Sequence, residues 1–231
     1  MQFAEGQLYG RAAAVMMPLF RERAGGKNLA GDVSQEMVKE LKWAMFFLKE
    51  AAPRTLEARD PRRPAVICTD GALEGDQKQH ASIGAVLFDE AVIEYFGIRV
   101  PSRTLAAVQK ETKNVIAALE VVAVASALRL WRKRLRNRRV FIFVDNEAAK
   151  AALIKMATNV PSMRVALEEV VGLAMTDPCY PWYARVASPC NPADAPSRLK
   201  PLEVGGSAAV KREVNLDWLD KRTWKKGRRE E

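Results

Sequence analysis

Arg139-Val140-Phe141-Ile142-Phe143-Val144-Asp145 is a short apolar run rich in β-branched and aromatic residues, and it closes on an acid. An earlier run, Ala65-Val66-Ile67-Cys68-Thr69-Asp70, has the same form. Both read as buried β-strands. Aspartate commonly ends a strand or opens a turn, and Asp145-Asn146 could simply cap the helix that follows. If the two strands are parallel neighbours, however, Asp70 and Asp145 share the carboxyl edge of one sheet, where ligands of open α/β sheets collect.

The stretches around these two strands predict the rest of the sheet. After Asp70 a polar loop (Glu74 to Lys78) leads to a second strand, Ser82 to Phe88, and a third, Ala91 to Val100, follows across Asp89-Glu90. Connections this short imply antiparallel pairing, because parallel neighbours need a long crossover. A long helix is expected from about Thr112 to Trp131, then the Arg139–Asp145 strand. A helix over Glu147 to Met156 with Asn146 as N-cap, a helix over roughly Ser162 to Met175, and a strand from Tyr180 to Val186 complete the pattern. The fold class is α/β: a mixed five-stranded sheet flanked by helices.

Glu120 sits in the long helix among Val115, Ile116, Ala117, Ala118, Leu119, Val121, Val122, Ala123, Val124 and Ala125. A helix apolar on every face is buried on every face. An unpartnered carboxylate there carries a large desolvation cost or takes up a proton. Glu120 therefore needs a cation, a metal ion or an opening to solvent, and a structural ion pair with an arginine is the plain alternative. A fourth acid, Asp194, lies in the turn-rich Asn191-Pro192-Ala193-Asp194-Ala195-Pro196-Ser197-Arg198, where a helix cap is an equal reading. Carboxylates gathered from separate elements repel one another unless a hard cation neutralises them, and Mg²⁺ takes oxygen ligands. A metal-dependent nuclease is the leading expectation.

Composition sets the outer limits. The chain has 231 residues, 48% hydrophobic and 28% charged, with a formal net charge of +9. It should fold around a real core, and a polyanionic partner suits its charge. Cys68, Cys179 and Cys190 form no CxxC pair and no even set, which argues against a disulfide scaffold or zinc ribbon and for an intracellular protein of cytoplasm or nucleus. No segment approaches the roughly 18 apolar residues of a membrane span.

Residues 1–60 read as a separate helical segment. Leu8, Ala12, Val15 and Leu19 mark a first helix. A second starts near Asp32-Val33-Ser34-Gln35, with Asp32 or Ser34 as the cap, and carries the stripe Met37, Leu41, Ala44, Met45, Leu48. The charged stretch Arg54 to Pro64 reads as a linker, 61–200 as the main domain, and 201–231 as a basic C-terminal tail that either docks by Trp218 and Trp224 or hangs free. The densest positive run is Arg132, Lys133, Arg134, Arg136, Arg138 and Arg139. At about 3.3 Å per residue, the strand after it places it roughly 20 Å from Asp145. It could grip nucleic acid away from the acids, act as a nuclear address, or be a solvated helix end whose cations suit the dipole. Tyr180, Trp182 and Tyr183 read as core and sheet-face residues, with base stacking as the minority reading.

Thr69-Asp70-Gly71-Ala72, Gly84-Ala85-Val86-Leu87, Leu119-Glu120 and Val144-Asp145-Asn146, in this order, resemble the ribonuclease H fold. The Asn191–Arg198 stretch resembles the N-x-A-D-x-x-S-R ending of ribonuclease H domains attached to reverse transcriptases, especially those of DIRS-like retroelements. The resemblance covers about residues 65–199, and more faintly residues 1–60 are similar to the thumb or connection segment that precedes such domains. It implies that Asp70, Glu120, Asp145 and Asp194 bind two Mg²⁺ ions, with Mn²⁺ as a substitute, and serve hydrolysis of the RNA strand of an RNA–DNA hybrid. Two departures stand out. The one histidine, His80, lies in the first hairpin rather than before the last aspartate, and Pro196 replaces an apolar residue. There is no Tyr-x-Asp-Asp, so a polymerase region would have to lie outside this chain. Two rivals stay open: a non-catalytic nucleic-acid-binding or structural remnant of a retroelement, and another nuclease on the same fold, of transposase or resolvase type.

Overall fold

The computed structural model describes residues 34–50, 63–75, 79–202 and 209–219. The helix expected around Leu8–Leu19, the Asp32 cap, residues 54–62 of the linker, Trp224 and the basic residues beyond 220 lie outside these. The first described helix, α1 (Gln35–Glu50), is capped by Ser34, whose Oγ accepts the Met37 N–H at 3.2 Å. Along its expected stripe Met37 and Ala44 are buried, while Leu41 and Met45 face solvent.

The sheet is mixed α/β, with β1 (Ala65–Glu74), β2 (His80–Asp89), β3 (Val92–Arg99), β4 (Arg139–Val144) and β5 (Tyr180–Arg185) in the order β5-β4-β1-β2-β3. β2 is antiparallel to β1 and β3, as the short connections require, and β4 runs parallel to both β1 and β5. Strand β1 therefore sits at the centre and is buried over most of its length. It continues to Glu74, past the Asp70-Gly71 step that the sequence suggested as its end.

Between β3 and β4 stand two helices instead of one: α2 (Ser102–Glu111) and α3 (Val115–Leu135). Asn114 starts α3 by accepting the Ala117 N–H at 3.3 Å, and Arg132, Lys133 and Arg134 in its last turn suit the negative end of its dipole. The connection from β4 to β5 runs through α4 (Glu147–Lys155) and α5 (Pro161–Thr176). Asn146 caps α4, accepting from the N–H groups of Ala148 at 3.0 Å and Ala149 at 3.1 Å. Helix α3 packs on β1 and β2 on one side and on α4 and α5 on another, so its apolar faces all find partners. The main core lies here, around Ile67, Ile83, Leu119, Val121, Val124, Ile142, Leu153 and Leu167. The opposite face of the sheet carries a small cluster of Cys68, Val86, Tyr95 and Ala193. Beyond it Phe141 and Trp182, in register on β4 and β5, stand in solvent, Trp182 at 68% exposure. Trp182 is thus a surface residue, whereas Tyr183 packs against the core. No helix among the described residues is long and apolar enough to cross a membrane.

Residues 209–219, within the segment read as a tail, also join the fold. Val210–Lys211 form a sixth strand, β6, parallel to β3 at Glu94 and Tyr95, and Leu216, Trp218 and Leu219 are buried in the main core. Glu94 is the joint between these parts. It is 3% exposed and accepts from the Trp131 Nε1–H at 2.8 Å and from Arg212 Nη2 at 2.6 Å, with Arg134 Nη1 3.1 Å away. The Arg212 hydrogen bond, followed by those of Trp131 and the charge of Arg134, holds the Glu94 carboxyl below its ordinary range. Its stabilisation is therefore complete above the free-glutamate value of 4.5 and fades as pH falls through the lowered folded value. Glu94→Gln leaves two arginines facing an amide and is expected to cost roughly 2–3 kcal/mol at neutral pH. Thermal melts across pH 3–7 check this: the gap between variant and parent should shrink toward the acid end.

Candidate metal centre

Asp70 lies within β1 and Glu120 within α3, and a glycine brings them together. A Cβ on Gly71 would fall 2.8 Å from Leu119 Cβ and 3.2 Å from the Glu120 backbone nitrogen, so only the bare backbone lets α3 lie this close to β1. Asp145 follows β4 directly and is half-buried. Because β4 is parallel to β1, in the register Cys68 opposite Phe143, Asp145 reaches the same edge as Asp70. The Thr69 Oγ donates to the Phe143 carbonyl at 3.4 Å, a further tie between the two strands.

Asp70, Glu120 and Asp145 each offer a carboxylate oxygen, and these oxygens lie within 4.8 Å of one another. Glu120 is completely buried, and neither of its oxygens has a partner at hydrogen-bond geometry. No arginine or lysine among the described residues pairs with it, so the structural ion pair weighed from the sequence is not what holds it. Burial, then the neighbouring Asp145 and Asp70 carboxylates, push the Glu120 carboxyl up to about 11. Asp70 is also raised, by burial first and by the charges of Asp145 and Asp194, against a lowering hydrogen bond from Ser197. Asp145 is lowered, chiefly by Glu120, with Ser188 and Arg185 adding to it. The proton of this coupled pair therefore belongs on Glu120. Three hard oxygen donors with an unmatched buried carboxylate fit a divalent cation by their chemistry.

Asp194 lies beside this trio rather than within it. It opens α6 (Asp194–Ser197), a single turn, and is about half exposed. Its Oδ1 accepts from Arg198 Nε at 3.0 Å, and Arg198 Nη1 also reaches Glu74 Oε1 at 3.2 Å. The turn that carries Asp194 is fastened to β1. Asn191 Nδ2 donates to the Thr69 carbonyl at 2.9 Å, Asn191 Oδ1 accepts the Ala193 N–H at 3.1 Å, and the Ser197 hydroxyl donates to Asp70 Oδ2. Two glycines leave room beneath it: a Cβ on Gly84 would meet the Ser197 nitrogen at 2.3 Å, and one on Gly97 the Pro196 carbonyl oxygen at 2.1 Å. Pro196 is buried there. Sequence reading gave no role to Ser197, Gly84 or Gly97, although glycines inside strands do signal close backbone approach.

The basic run stands at the other end of β4. Arg138 is buried, bonded to Asp89 at 2.8 Å and to the Arg63 carbonyl at 2.7 Å. Arg134 pairs with Glu94, and Arg132 lies 3.7 Å from Asp177. Each of these three cations lies against an acid, Arg132 with a side chain 42% exposed, and Lys133, Arg136 and Arg139 are exposed as well. His80 is exposed at the start of β2.

No family model matches the chain, and no curated protein is similar to it in sequence. Among solved structures it is similar to ribonuclease H1 from Halobacterium salinarum NRC-1, with TM-score 0.43, 18% identity, and 59% of this chain and 96% of that one covered. It is also similar to LC11 ribonuclease H1 in complex with an RNA/DNA hybrid, with TM-score 0.42, 17% identity, and coverage of 59% and 95%. The amino-terminal ribonuclease H domain of a Mycobacterium tuberculosis protein gives TM-score 0.41, 16% identity, and coverage of 58% and 91%.

Proposed function

We propose that the protein is a ribonuclease H-type endonuclease that hydrolyses the RNA strand of RNA–DNA hybrids, using divalent ions held by Asp70, Glu120, Asp145 and Asp194. The observation that carries this reading is the convergence of Asp70, Glu120 and Asp145 from three separate elements, with Glu120 buried and unmatched. Two Mg²⁺ ions, or Mn²⁺ in their place, would supply Lewis acidity at the phosphate and a more acidic water. The chain's own part is to hold the oxygens in place. Asp70 and Glu120 are fixed by burial, and half-exposed Asp145 and Asp194 form the open side on which a phosphate backbone could approach. Exposed Lys133, Arg136 and Arg139 are proposed to grip the duplex away from the cut, through contacts that weaken with salt.

The Asn191–Arg198 ending further supports a place in a retroelement reverse transcriptase, with residues 1–60 as thumb or connection segment and a polymerase region outside this chain. The cytoplasm or nucleus suits that role.

Incubation with an RNA–DNA hybrid in Mg²⁺ or Mn²⁺ tests the activity. Asp145→Asn is expected to lower cleavage about a thousandfold while leaving the melting temperature near that of the parent. Equal inertness of both proteins would favour the non-catalytic remnant, and preference for duplex DNA would favour a transposase- or resolvase-type nuclease.

A further inference from the structure

We propose that Ser197 is a positioning residue that clamps the Asp70 carboxylate and ties it to the turn bearing Asp194. The inference rests on the nuclease reading of this site. Ser197 is completely buried, and its hydroxyl touches Asp70 Oδ2 on one side and lies 2.8 Å from the Asp194 carbonyl oxygen on the other. A hydroxyl has one proton, and the carboxylate, as the charged acceptor, takes it. The contact fixes the orientation of the Asp70 carboxylate, whose remaining lone pairs stay open for the cluster. Ser197 itself belongs to α6 while its hydroxyl holds β1, so the Asp70 side chain is tied to the turn that carries Asp194.

The surroundings are shaped for this contact. Asp70 is in register with Gly84 on β2, and Gly84 with Gly97 on β3. Gly84 and Gly97 form a floor without side chains under the Pro196–Ser197 backbone, which occupies the very space a Cβ would need. Asn191 pins the other end of the turn to the carbonyl of Thr69, the residue before Asp70. Groups that orient metal-binding carboxylates typically alter metal affinity or activity by about 10- to 100-fold when removed.

The test compares the parent with Ser197→Ala, Ser197→Thr and, as a control buried hydroxyl with no carboxylate against it, Ser126→Ala. Mn²⁺ binding is followed by electron paramagnetic resonance, with melting temperature and hybrid cleavage measured alongside. Ser197→Ala is expected to weaken Mn²⁺ binding about tenfold and to slow cleavage 10- to 100-fold, with the KM for hybrid unchanged. Ser197→Thr should recover most of both, and Ser126→Ala should change neither. Parent-like Mn²⁺ binding by folded Ser197→Ala overturns the proposal, as does a loss no larger than its unfolded fraction. If Ser197→Thr does not fold, the Ser197→Ala binding curve decides alone. A parent that binds Mn²⁺ but cuts no hybrid defeats the nuclease reading, while the Mn²⁺ curves still judge Ser197.

Discussion

Glu120→Gln should abolish hybrid cleavage, by about a thousandfold, and at the same time make the metal-free protein more stable. The two effects have one cause. In the folded chain without a cation Glu120 keeps its proton, because burial and the charges of Asp145 and Asp70 raise its pKa to about 11 from 4.5. The unfolded chain releases that proton near 4.5. A group raised in this way contributes nothing unfavourable below its unfolded value and costs stability progressively as pH rises toward the folded one. At about 1.4 kcal/mol per pH unit, the cost is on the order of 3 kcal/mol at pH 7. Glutamine keeps the shape and cannot ionise. The variant should therefore melt higher than the parent in chelator at pH 8, by a margin that shrinks toward pH 5. In the parent, a divalent ion should displace the proton, so Mg²⁺ should bind more tightly as pH rises and should stabilise most at the alkaline end. Parallel melting-versus-pH curves for parent and variant in chelator would defeat this account.

Gly84→Ala should disable the site without placing any new group among the acids. Its Cβ would approach Ser197 N at 2.3 Å, Pro196 C at 2.7 Å and Ser197 Cα at 2.8 Å, all backbone atoms with no rotamer by which to yield. The turn must lift, carrying Asp194 and Ser197 away from Asp70. A cleavage loss of about 100-fold or more is expected, with a stability loss of roughly 1–3 kcal/mol for the overpacking. Gly172→Ala provides the contrast. Nothing lies within 4 Å of a Cβ at that helical position, and the change should stabilise by roughly 0.5–1 kcal/mol and leave activity alone. Near-parental cleavage by Gly84→Ala would show that the turn has room that the structure does not show.

The parts of the molecule that sequence could reveal are those with dense apolar patterning. Strand β4 is bounded as its β-branched run suggests, and the Asn146 cap is where an asparagine before a helical pattern should be. Glu120 betrayed itself by its neighbours, since a lone acid in an apolar helix has few explanations. Helix α2 escaped because its polar sequence buries only Leu105 and Val108, and no side chain caps its start. Strand β1 seemed to stop at Asp70-Gly71 because that pair resembles a turn. In the structure the glycine instead admits α3, a tertiary reason that leaves no local trace. Strand β6 is two residues long and has no period to detect. Ser197 lay inside a recognised motif, yet nothing in the chain's order says that it meets Asp70, 127 positions away.

That separation has a meaning for how the polypeptide comes into being. A ribosome delivers Asp70 before its fasteners, and the asparagine and serine that tie its strand to the Asp194 turn follow at distances of 122 and 127 residues. Glu94 likewise waits 118 residues for Arg212. Sheet and central helix can meet before then, but Asp194 and the clasp beside it come later in the chain than every other acid of the site. A chain elongated only through its central helix therefore lacks the complete acidic edge, which closes only once the Asn191–Arg198 turn has been made.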